Sequence, residues 1–326
     1  MSLDLTFLNN TTREHFIAAL RNQLYEKTVV WNRLNAAGRV KTMTGRSLLW
    51  DVVSVKHASI GVYTGYDVLA SQPVNPTAQA SLSTANYYAT LAISGEEERK
   101  NTGNKERLLD MLKVQMDNAR ATLQDRMSTD AFGANTTIGG KQVINGLGVI
   151  MSTTNTYANI NRSTAGNSYW QANVDTTSYA YADVIDPTST KYLPKVMRTS
   201  YLNATHDNSP DLIVTTKAIY NLYQDIAGVT NLRFNNDVAN LGFGGVVFGP
   251  NVTLVFDTYQ TAKYMDMLSL QAFQLFVFAG ANFDLKEPGW QIPPNQDAKL
   301  AHIIWSGQLR CDTPREQARL TGIETS

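Results

Sequence analysis

The sequence predicts an α+β fold, in which a long two-stranded excursion and a long helix precede a mixed region of strands and helices. Apolar residues recur at helical spacing across residues 104–132, and alternating or β-branched residues predict strands on both sides of that segment. The chain has 326 residues, 43% of them hydrophobic. That is enough to bury a large core divided among roughly two or three subdomains.

The composition indicates a surface that is polar but weakly charged. Charged residues make up 17% of the chain, against roughly 25% in an average soluble protein. Uncharged amides and hydroxyls can be buried at a contact without the desolvation cost of a lone ion, which suits a chain with many neighbours. The 28 basic residues balance the 28 acidic residues, which argues against sequence-specific DNA binding.

The sequence gives no indication of disulfides, cofactors, metals or membrane contact. Cys311 is the single cysteine, so it forms no intrachain disulfide, and a reducing cytoplasm suits the chain. The first residues lack a basic n-region, and the longest apolar run, at residues 275–279, is far shorter than the roughly 18 residues of a spanning helix. We therefore expect neither export nor a membrane partner.

Near the N-terminus a capping-box pattern predicts a first helix. Thr11 and Glu14 form that pattern. One face then carries residues at helical spacing, namely Phe16, Leu20, Leu24, Thr28 and Trp31. The polar face lacks a Lys/Arg cluster, which favours a core-packing helix over a membrane-surface helix.

Two extended segments predict a long hairpin. Residues 52–63 and 82–93 have strand-like patterns, and the polar stretch between them contains Pro73 and Pro76. Each arm of about 12 residues would reach about 40 Å. Because a lone two-stranded ribbon is only marginally stable, we expect it to lie against its own domain or a neighbouring subunit.

Residues 96–103 are strongly charged and predict a solvated loop. The alternative is that these charges pair with an adjacent subunit and fix its register. Asn104 then caps the predicted long helix, which would be about 43 Å long. Gly133 ends it.

The second half of the chain predicts a mixed subdomain. Residues 152–191 form a Thr-, Asn-, Ser- and Tyr-rich tract with little periodicity, so we expect mostly loops there. Residues 212–214 predict a buried strand, and residues 217–227 predict a helix. Further strands are predicted within residues 243–256, at 275–278 and at 300–305.

Motifs for catalysis are missing from the sequence. The glycines at residues 242–245 lack the Gly-Lys-Ser/Thr of a phosphate loop, and no Gly-x-Ser-x-Gly elbow occurs. His15, His57, His206 and His302 lie in unrelated segments without metal-site spacing. We therefore do not expect an enzyme, although a polar, β-rich hydrolase remains an alternative, which predicts a pocket with perturbed carboxylates.

The order of these elements resembles the HK97-type capsid fold of tailed bacteriophages. The resemblance covers nearly the whole chain and rests on short stretches rather than on a fingerprint: Gly65-Tyr66-Asp67, Asn86-Tyr87-Tyr88, Ile93-Ser94-Gly95-Glu96-Glu97, Asn101-Thr102-Gly103, Gly146-Leu147, Asn161-Arg162-Ser163 before Tyr169-Trp170, the segment 303–309 and the closing run 315–320.

This resemblance implies a domain organisation. Residues 1–48 would form the N-arm and 49–103 the extended E-loop. Residues 104–140, with the spine helix, would form the peripheral domain together with the returning segment 285–326. Residues 141–284 would form the axial domain.

The resemblance also implies a function and partners. The chain would be a major capsid protein that self-assembles, through hexamers and pentamers, into the icosahedral shell around the double-stranded DNA genome, which it would contact non-specifically. A portal and a separate scaffolding protein would be its other partners, since no long helical pro-segment precedes the E-loop. Assembly would take place in the host cytoplasm. An encapsulin-like nanocompartment shell protein is the alternative of the same fold.

Two further expectations concern the contacts between subunits. Residues 66–79 contain no lysine, which argues against a Lys–Asn isopeptide crosslink at the tip of the E-loop. The candidate contact residues are Tyr66, Asp67, Glu96, Glu97, Glu98, Arg99 and Lys100.

Overall fold

The computed structural model describes residues 28–54, 60–69, 75–100, 105–227, 246–249 and 252–326. Most of the predicted first helix lies outside these residues. The helices are α1 Val29–Ala36, α2 Gly95–Lys100, α3 Lys105–Phe132, α4 Leu147–Ile150, α5 Tyr181–Ile185, α6 Leu193–Ala204 and α7 Lys217–Ala227. The strands are β1 Val40–Met43, β2 Ser47–Val53, β3 Thr77–Ser83, β4 Ala85–Ser94, β5 Thr137–Ile138, β6 Lys141–Gln142, β7 Thr156–Tyr157, β8 Ile160–Asn161, β9 Asn173–Asp175, β10 Leu212–Thr215, β11 Val246–Gly249, β12 Val252–Phe256, β13 Met265–Leu268, β14 Phe273–Leu285, β15 Ala298–Cys311 and β16 Ala318–Leu320.

A four-stranded sheet with the order β1-β14-β15-β4 packs against the long helix α3. β15 pairs antiparallel with both β14 and β4, whereas β1 runs parallel to β14. Trp305 on β15 is fully buried, and its ring lies 5.7 Å from that of Tyr87 and 6.2 Å from that of Phe283. Aromatic rings from three adjacent strands therefore form the centre of this core.

A six-stranded mixed sheet with the order β11-β12-β10-β13-β16-β9 forms the second core. All four residues of its inner strand β10 are buried, as expected for a strand covered on both faces. Helices α6 and α7 pack on this sheet. The strand predicted at residues 212–214 and the helix predicted at 217–227 are confirmed. Both were predictable because their local sequence patterns are strong.

A hairpin is present, but both of its arms differ from the prediction. The first arm was predicted at residues 52–63, whereas β2 ends at Val53 and residues 60–63 do not form a strand. β2 pairs antiparallel with β3, from Ser47 opposite Ser83 to Val53 opposite Thr77. Residues 85–93, which were predicted to lie in the hairpin, instead form most of β4 and pair with β15. Alternating apolar residues fit either arrangement, and the partner strand lies more than 200 residues away. The β2–β3 pair, here called the ribbon, is about 23 Å long.

Two other predictions are corrected. Residues 95–100 form helix α2 rather than the solvated loop that was predicted for 96–103, and residues 101–103 lie outside the described residues. The last predicted strand does not stop before Gly307, because β15 continues to Cys311. A Cβ at position 307 would lie 2.3 Å from the carbonyl oxygen of Phe276, so this strand position accepts only glycine without rearrangement.

The tract at residues 152–191 is loop-rich, as predicted, and it is organised around a buried arginine. The Arg162 side chain is fully buried, and Nη1 donates hydrogen bonds to the carbonyl oxygens of Val149 and Ser152, both at 2.9 Å. Its guanidinium carbon lies 5.1 Å from the ring centroid of Tyr157. Burial lowers the pKa of Arg162 to about 10.

The domain boundaries implied by the resemblance remain predictions. Sheet membership divides the chain somewhat differently: β4 belongs to the four-stranded sheet, as does β14, while β16 belongs to the six-stranded sheet. Most of β14, in the predicted axial domain, therefore shares a sheet with β15 of the predicted peripheral domain, whereas β16 of the predicted peripheral domain joins the six-stranded sheet.

Candidate intersubunit contact surfaces

Residues 60–69, here called the tip segment, lie between the two strands of the ribbon and expose apolar side chains. Val62, Tyr66 and Val68 are each between 98% and 105% exposed. The full set of exposed large apolar residues in the segment is Ile60, Val62, Tyr63, Tyr66, Val68 and Leu69. Folding of the subunit does not bury these side chains, and contiguous exposed apolar surface of this kind marks contact sites.

A tight turn shapes the tip segment. The backbone N–H of Thr64 donates to the carboxylate of Asp67 at 2.8 Å, and the N–H of Asp67 donates to the carbonyl oxygen of Thr64 at 3.1 Å. Gly65 has a φ of +45°, which glycine adopts readily. The structure therefore places Tyr66 and Asp67 together in one exposed turn.

The inner face of the ribbon packs on the rest of the subunit, with Val52 and Ala78 near its far end partly buried against the core. Leu48, Ala80 and Leu82 are buried on its inner face, whereas Val53 at the far end is 72% exposed. The N–H of Ser81 donates to the carbonyl oxygen of Ala158 at 2.9 Å. The ribbon is thus anchored along its inner face, while its outer face is exposed.

The charged candidates on helix α2 have ion-pair partners within the chain. Lys100 Nζ lies 2.6 Å from Glu96 Oε1, and Arg99 Nη2 lies 2.6 Å from Asp297 Oδ2. These pairs are largely exposed, so they contribute little to stability. Of Glu97 the structure describes only the backbone.

The Glu98–Lys299 pair differs from the other two because it is nearly buried. The Lys299 ammonium lies 2.9 Å from the Glu98 carboxylate, and the two side chains are 11% and 13% exposed. The pair ties α2 to the first residues of β15. Sequence reasoning missed Lys299 and Asp297, because nothing local relates them to residues 96–100.

Gly95 explains how closely α2 approaches that region. Its N–H donates to the carbonyl oxygen of Asp297 at 2.8 Å, and a Cβ at position 95 would lie 2.0 Å from Asp297 Oδ1. A side chain at position 95 would therefore have to displace the Asp297 carboxylate, which pairs with Arg99. Whether its charges also contact a neighbouring subunit stays a prediction.

The apolar character of the tip segment was also missed from the sequence. The predicted polar tip, residues 66–79, includes Val68 and Leu69, and the preceding residues were assigned to a strand. Ile60, Val62 and Val68 share an even-numbered alternation. That alternation, in a segment with no pairing partner of its own, is the signal that could have identified an exposed apolar surface.

The described residues do not form a recognisable catalytic or metal centre. Among them, no group of three or more His, Cys, Asp or Glu side chains is placed to hold a metal ion. His302 Nδ1 lies 3.0 Å from Thr90 Oγ1, while His15, His57 and the glycines at 242–245 lie outside the described residues. Among the described helices, none is long and apolar enough to cross a membrane.

The buried carboxylates that have a raised pKa hold the backbone in place. Burial raises the pKa of Asp257, which accepts hydrogen bonds from the N–H groups of Val29 at 3.1 Å and Tyr259 at 2.9 Å. Burial also raises the pKa of Asp211, which accepts one from the N–H of Leu270. Clefts of about 550, 520, 470 and 370 Å³ are lined by other residues. These aspartates therefore do not provide the hydrolase pocket of the alternative.

Comparisons with known proteins give matches at the level of structure. No protein-family model and no curated protein sequence matches the chain. The capsid asymmetric unit of cyanophage A-1(L) superposes with a TM-score of 0.61 at 14% identity, covering 90% of this chain and 93% of that chain. The chain has the HK97-type capsid fold.

Two further structures support the same fold. The capsid of a native GTA particle gives a TM-score of 0.54 at 10% identity, covering 89% of this chain and 90% of that chain. The procapsid of satellite phage P4 gives a TM-score of 0.53 at 11% identity, covering 94% of this chain and 99% of that chain. The predicted α+β, HK97-type fold class is therefore confirmed, and these HK97-type neighbours are shell proteins rather than enzymes.

Proposed function

We propose that this chain is the major capsid protein of a tailed bacteriophage, and that it self-assembles into the icosahedral shell around the double-stranded DNA genome. The observation that carries the proposal is the superposition of about nine-tenths of the chain on nearly complete capsid subunits. The proposed role is structural and involves no catalysis.

The ribbon supports assembly through head-to-tail contacts. Its outer face is exposed at Leu49 and Val53, and it carries the exposed apolar tip segment, whose burial requires a different surface on the next copy. Such heterologous contacts form rings when the rotation between copies closes. Pentamers and hexamers are the rings that an icosahedral shell needs. Many modest contacts then give a durable shell through multivalency.

The candidate contact residues fall into two groups. Tyr66 and Asp67 lie in the exposed turn. A neighbouring subunit can therefore cover them, and the hydrogen bonds between Thr64 and Asp67 are the contacts it would affect. The charges on α2 at Glu96, Arg99 and Lys100 are exposed but already paired. For Glu97 and Glu98 the proposal rests on their position in the same helix. We propose that α2 sets the register of a contact rather than its affinity.

A scaffolding protein, a portal and packaged DNA are the proposed partners in the virion, with assembly in the host cytoplasm. The P4 procapsid includes a size determination (Sid) protein, which supports a separate assembly partner here. The net charge of zero limits repulsion between copies. It also argues against sequence-specific binding of DNA.

Electron microscopy of the full-length chain, expressed alone and with a candidate scaffolding protein, tests the proposal. We expect rings or closed shells. A chain that remains monomeric under all assembly conditions would overturn the proposal. Small, cargo-loaded, DNA-free particles that form spontaneously would instead identify a nanocompartment shell.

A variant in the tip segment tests the proposed contact. The triple substitution Val62→Ser, Tyr66→Ser and Val68→Ser removes exposed apolar surface without touching the cores, so we expect native circular dichroism and loss of shells. The matched control is Leu202→Ser on α6, which is 61% exposed and should assemble like the parent. If the triple variant forms parent-like shells, the tip segment is not an assembly contact.

A further inference from the structure

The joint between the ribbon and the four-stranded sheet is short and sterically open. Residues 44–46 connect β1 to β2, and the single residue Thr84 connects β3 to β4. Gly45 has a φ of +106°, and a Cβ there would meet no heavy atom within 4 Å. The link through Gly45 therefore has open space around it, whereas the link through Thr84 is next to Ser83, whose carbonyl oxygen accepts a hydrogen bond from Gln308 Nε2 at 2.9 Å. Side-chain contacts add to these links in setting the angle of the ribbon.

Trp50 is a ribbon residue whose side chain contacts two residues outside the ribbon, Trp170 and Arg310. It lies on the inner face of β2, opposite Ala80 of β3. Its ring is 6.4 Å from that of Trp170, which is fixed in the subunit by a hydrogen bond from Nε1 to the carbonyl oxygen of Tyr157 at 3.1 Å. Trp50 thus has a rigid aromatic neighbour on one side.

Arg310 is the neighbour of Trp50 that comes from the four-stranded sheet. Its guanidinium carbon lies 4.5 Å from the ring centroid of Trp50 and 5.7 Å from that of Phe276. In the register of β14 and β15, Arg310 is opposite Gln274, so Phe276 is its diagonal neighbour on the sheet. Its side chain is only 20% exposed, and it also pairs with Asp312. One cation therefore joins an aromatic ring of the ribbon to one of the sheet.

A cleft of about 520 Å³ lies beside this contact. Trp50, Val52 and Ser54 line it from the ribbon. The facing lining residues include Tyr169, Trp170, Arg310, Asp312 and Arg315. The cleft leaves the ribbon incompletely packed along this side, where the Arg310 contact and a hydrogen bond between Ser54 and Tyr169 bridge it.

We propose that Arg310 is a positioning residue that sets the angle of the ribbon by holding Trp50 against the four-stranded sheet. This inference rests on the proposed function, because the angle of the ribbon determines the rotation between one subunit and the next. In a heterologous contact that rotation decides whether a ring closes and with how many copies. Arg310 therefore controls shell geometry without itself contacting the neighbouring subunit.

Hydrogen exchange at single amides of the unassembled full-length chain tests the first step. The Ser81 N–H bonds to Ala158 across the joint, so it reports movement of the ribbon. In Arg310→Met we expect its exchange to accelerate about 2- to 30-fold, the range of one cation–π contact. The amides of the β2–β3 ladder should keep the parent's rates. Parent-like exchange at Ser81 would overturn the proposal.

Two further variants make the measurement specific. Trp50→Leu removes the same contact from the ribbon side and should give the same acceleration, and it replaces Arg310→Met if that variant does not fold. Arg315→Met is the matched control. It removes a cation from the same cleft, where Arg315 lies 3.3 Å from Asp207, and should leave Ser81 unchanged. An equal effect of Arg315→Met would overturn a specific role of Arg310.

Electron microscopy of assembled particles tests the second step. We expect Arg310→Met to give a broader distribution of diameters, or open sheets, while Arg315→Met gives parent-like shells. Variant particles with the parent's distribution of diameters would overturn the proposal and leave the capsid function standing. If the parent itself forms no shells, the proposed function fails, whatever the result at Ser81.

Discussion

Arg319 and Asp266 form a buried, two-fold hydrogen-bonded ion pair between neighbouring strands of the six-stranded sheet. Arg319 Nε lies 2.6 Å from Asp266 Oδ1, and Nη2 lies 2.7 Å from Oδ2. Gln260 Nε2 donates a further hydrogen bond to Asp266 at 2.9 Å, and the guanidinium carbon lies 5.2 Å from the Tyr264 ring centroid. These hydrogen bonds and the contact with the ring offset the free-energy cost of removing two charges from water.

Breaking this pair from one side should be strongly destabilising. Arg319→Met leaves the Asp266 carboxylate buried without its cation, and we expect a loss of about 3–5 kcal/mol in the free energy of unfolding. Urea unfolding of the unassembled chain, followed by circular dichroism, measures it. The double variant Arg319→Met/Asp266→Leu should lose much less than the sum of the two single variants. Additive losses would show that the two side chains are not coupled.

Gly146 should tolerate no side chain. A Cβ there would lie 2.1 Å from the carbonyl oxygen of Asp130 and 2.7 Å from that of Gly133, because the start of α4 packs on the end of α3. We expect Gly146→Ala to cost at least about 1–3 kcal/mol in urea unfolding. Gly61→Ala is the matched control, since its Cβ would meet no heavy atom within 4 Å. It should change stability by no more than about 0.5 kcal/mol. Equal effects would contradict the close approach.

The long helix and the strand–helix unit at residues 212–227 were predictable because their signals are local. Apolar spacing and a following glycine define them without reference to the rest of the chain. β4 was misassigned because its pairing with β15 depends on residues 298–307, which no local pattern identifies. α2 was misassigned because a charge run was taken for a loop. Its residues are good helix formers, and Ser94 before Glu97 is a capping-box pattern that predicts a helix start.

The candidate contact surfaces were only partly predictable for a similar reason. Tyr66 and Asp67 were identified through the family resemblance, and the structure places them in an exposed turn. The contact between Arg310 and Trp50 joins positions 260 residues apart on different sheets, which requires the folded arrangement. Arg162 shows the same limit, since a buried arginine in a polar tract has no distinguishing sequence pattern.

Asp257 should make the stability of the subunit depend on pH. Burial raises the pKa of this carboxyl above its unfolded value, so its ionisation costs folding free energy at pH 7. The cost is fully present above the folded pKa and is relieved as the pH falls towards the unfolded value of about 4. Asp257→Asn cannot ionise and lacks this relief. We therefore expect the parent to gain stability relative to Asp257→Asn between pH 7 and about pH 4.

Parallel urea unfolding of the two proteins across that pH range measures the difference. The test uses only how the difference in the free energy of unfolding changes with pH, because the asparagine also alters the hydrogen bonds from Val29 and Tyr259 at every pH. Asp51→Asn is the control. The Asp51 carboxylate is exposed on the ribbon. The free energy of unfolding of this variant should differ from that of the parent by an amount that stays constant with pH within about 0.5 kcal/mol. A constant difference for Asp257→Asn would contradict the raised pKa.

Cys311 should be unreactive in the native subunit. Its side chain is fully buried at the end of β15, and its backbone N–H donates a hydrogen bond to the Tyr157 hydroxyl at 2.7 Å. Burial raises the pKa of the thiol well above its usual range, and the thiolate is the nucleophilic form. Labelling by N-ethylmaleimide at pH 8 should therefore be slower than for a free thiol by at least about 10³-fold, as expected if it requires unfolding.

An exposed cysteine in the same chain provides the reference rate. Leu202→Cys places a thiol at a position that is 61% exposed in the parent, and mass spectrometry should find one rapid label there and a second only after denaturation. Because the native thiol cannot reach an oxidant or another chain, shells should also remain intact under reducing conditions. Rapid double labelling of folded Leu202→Cys would show that the end of β15 opens readily, and would contradict its place in the core.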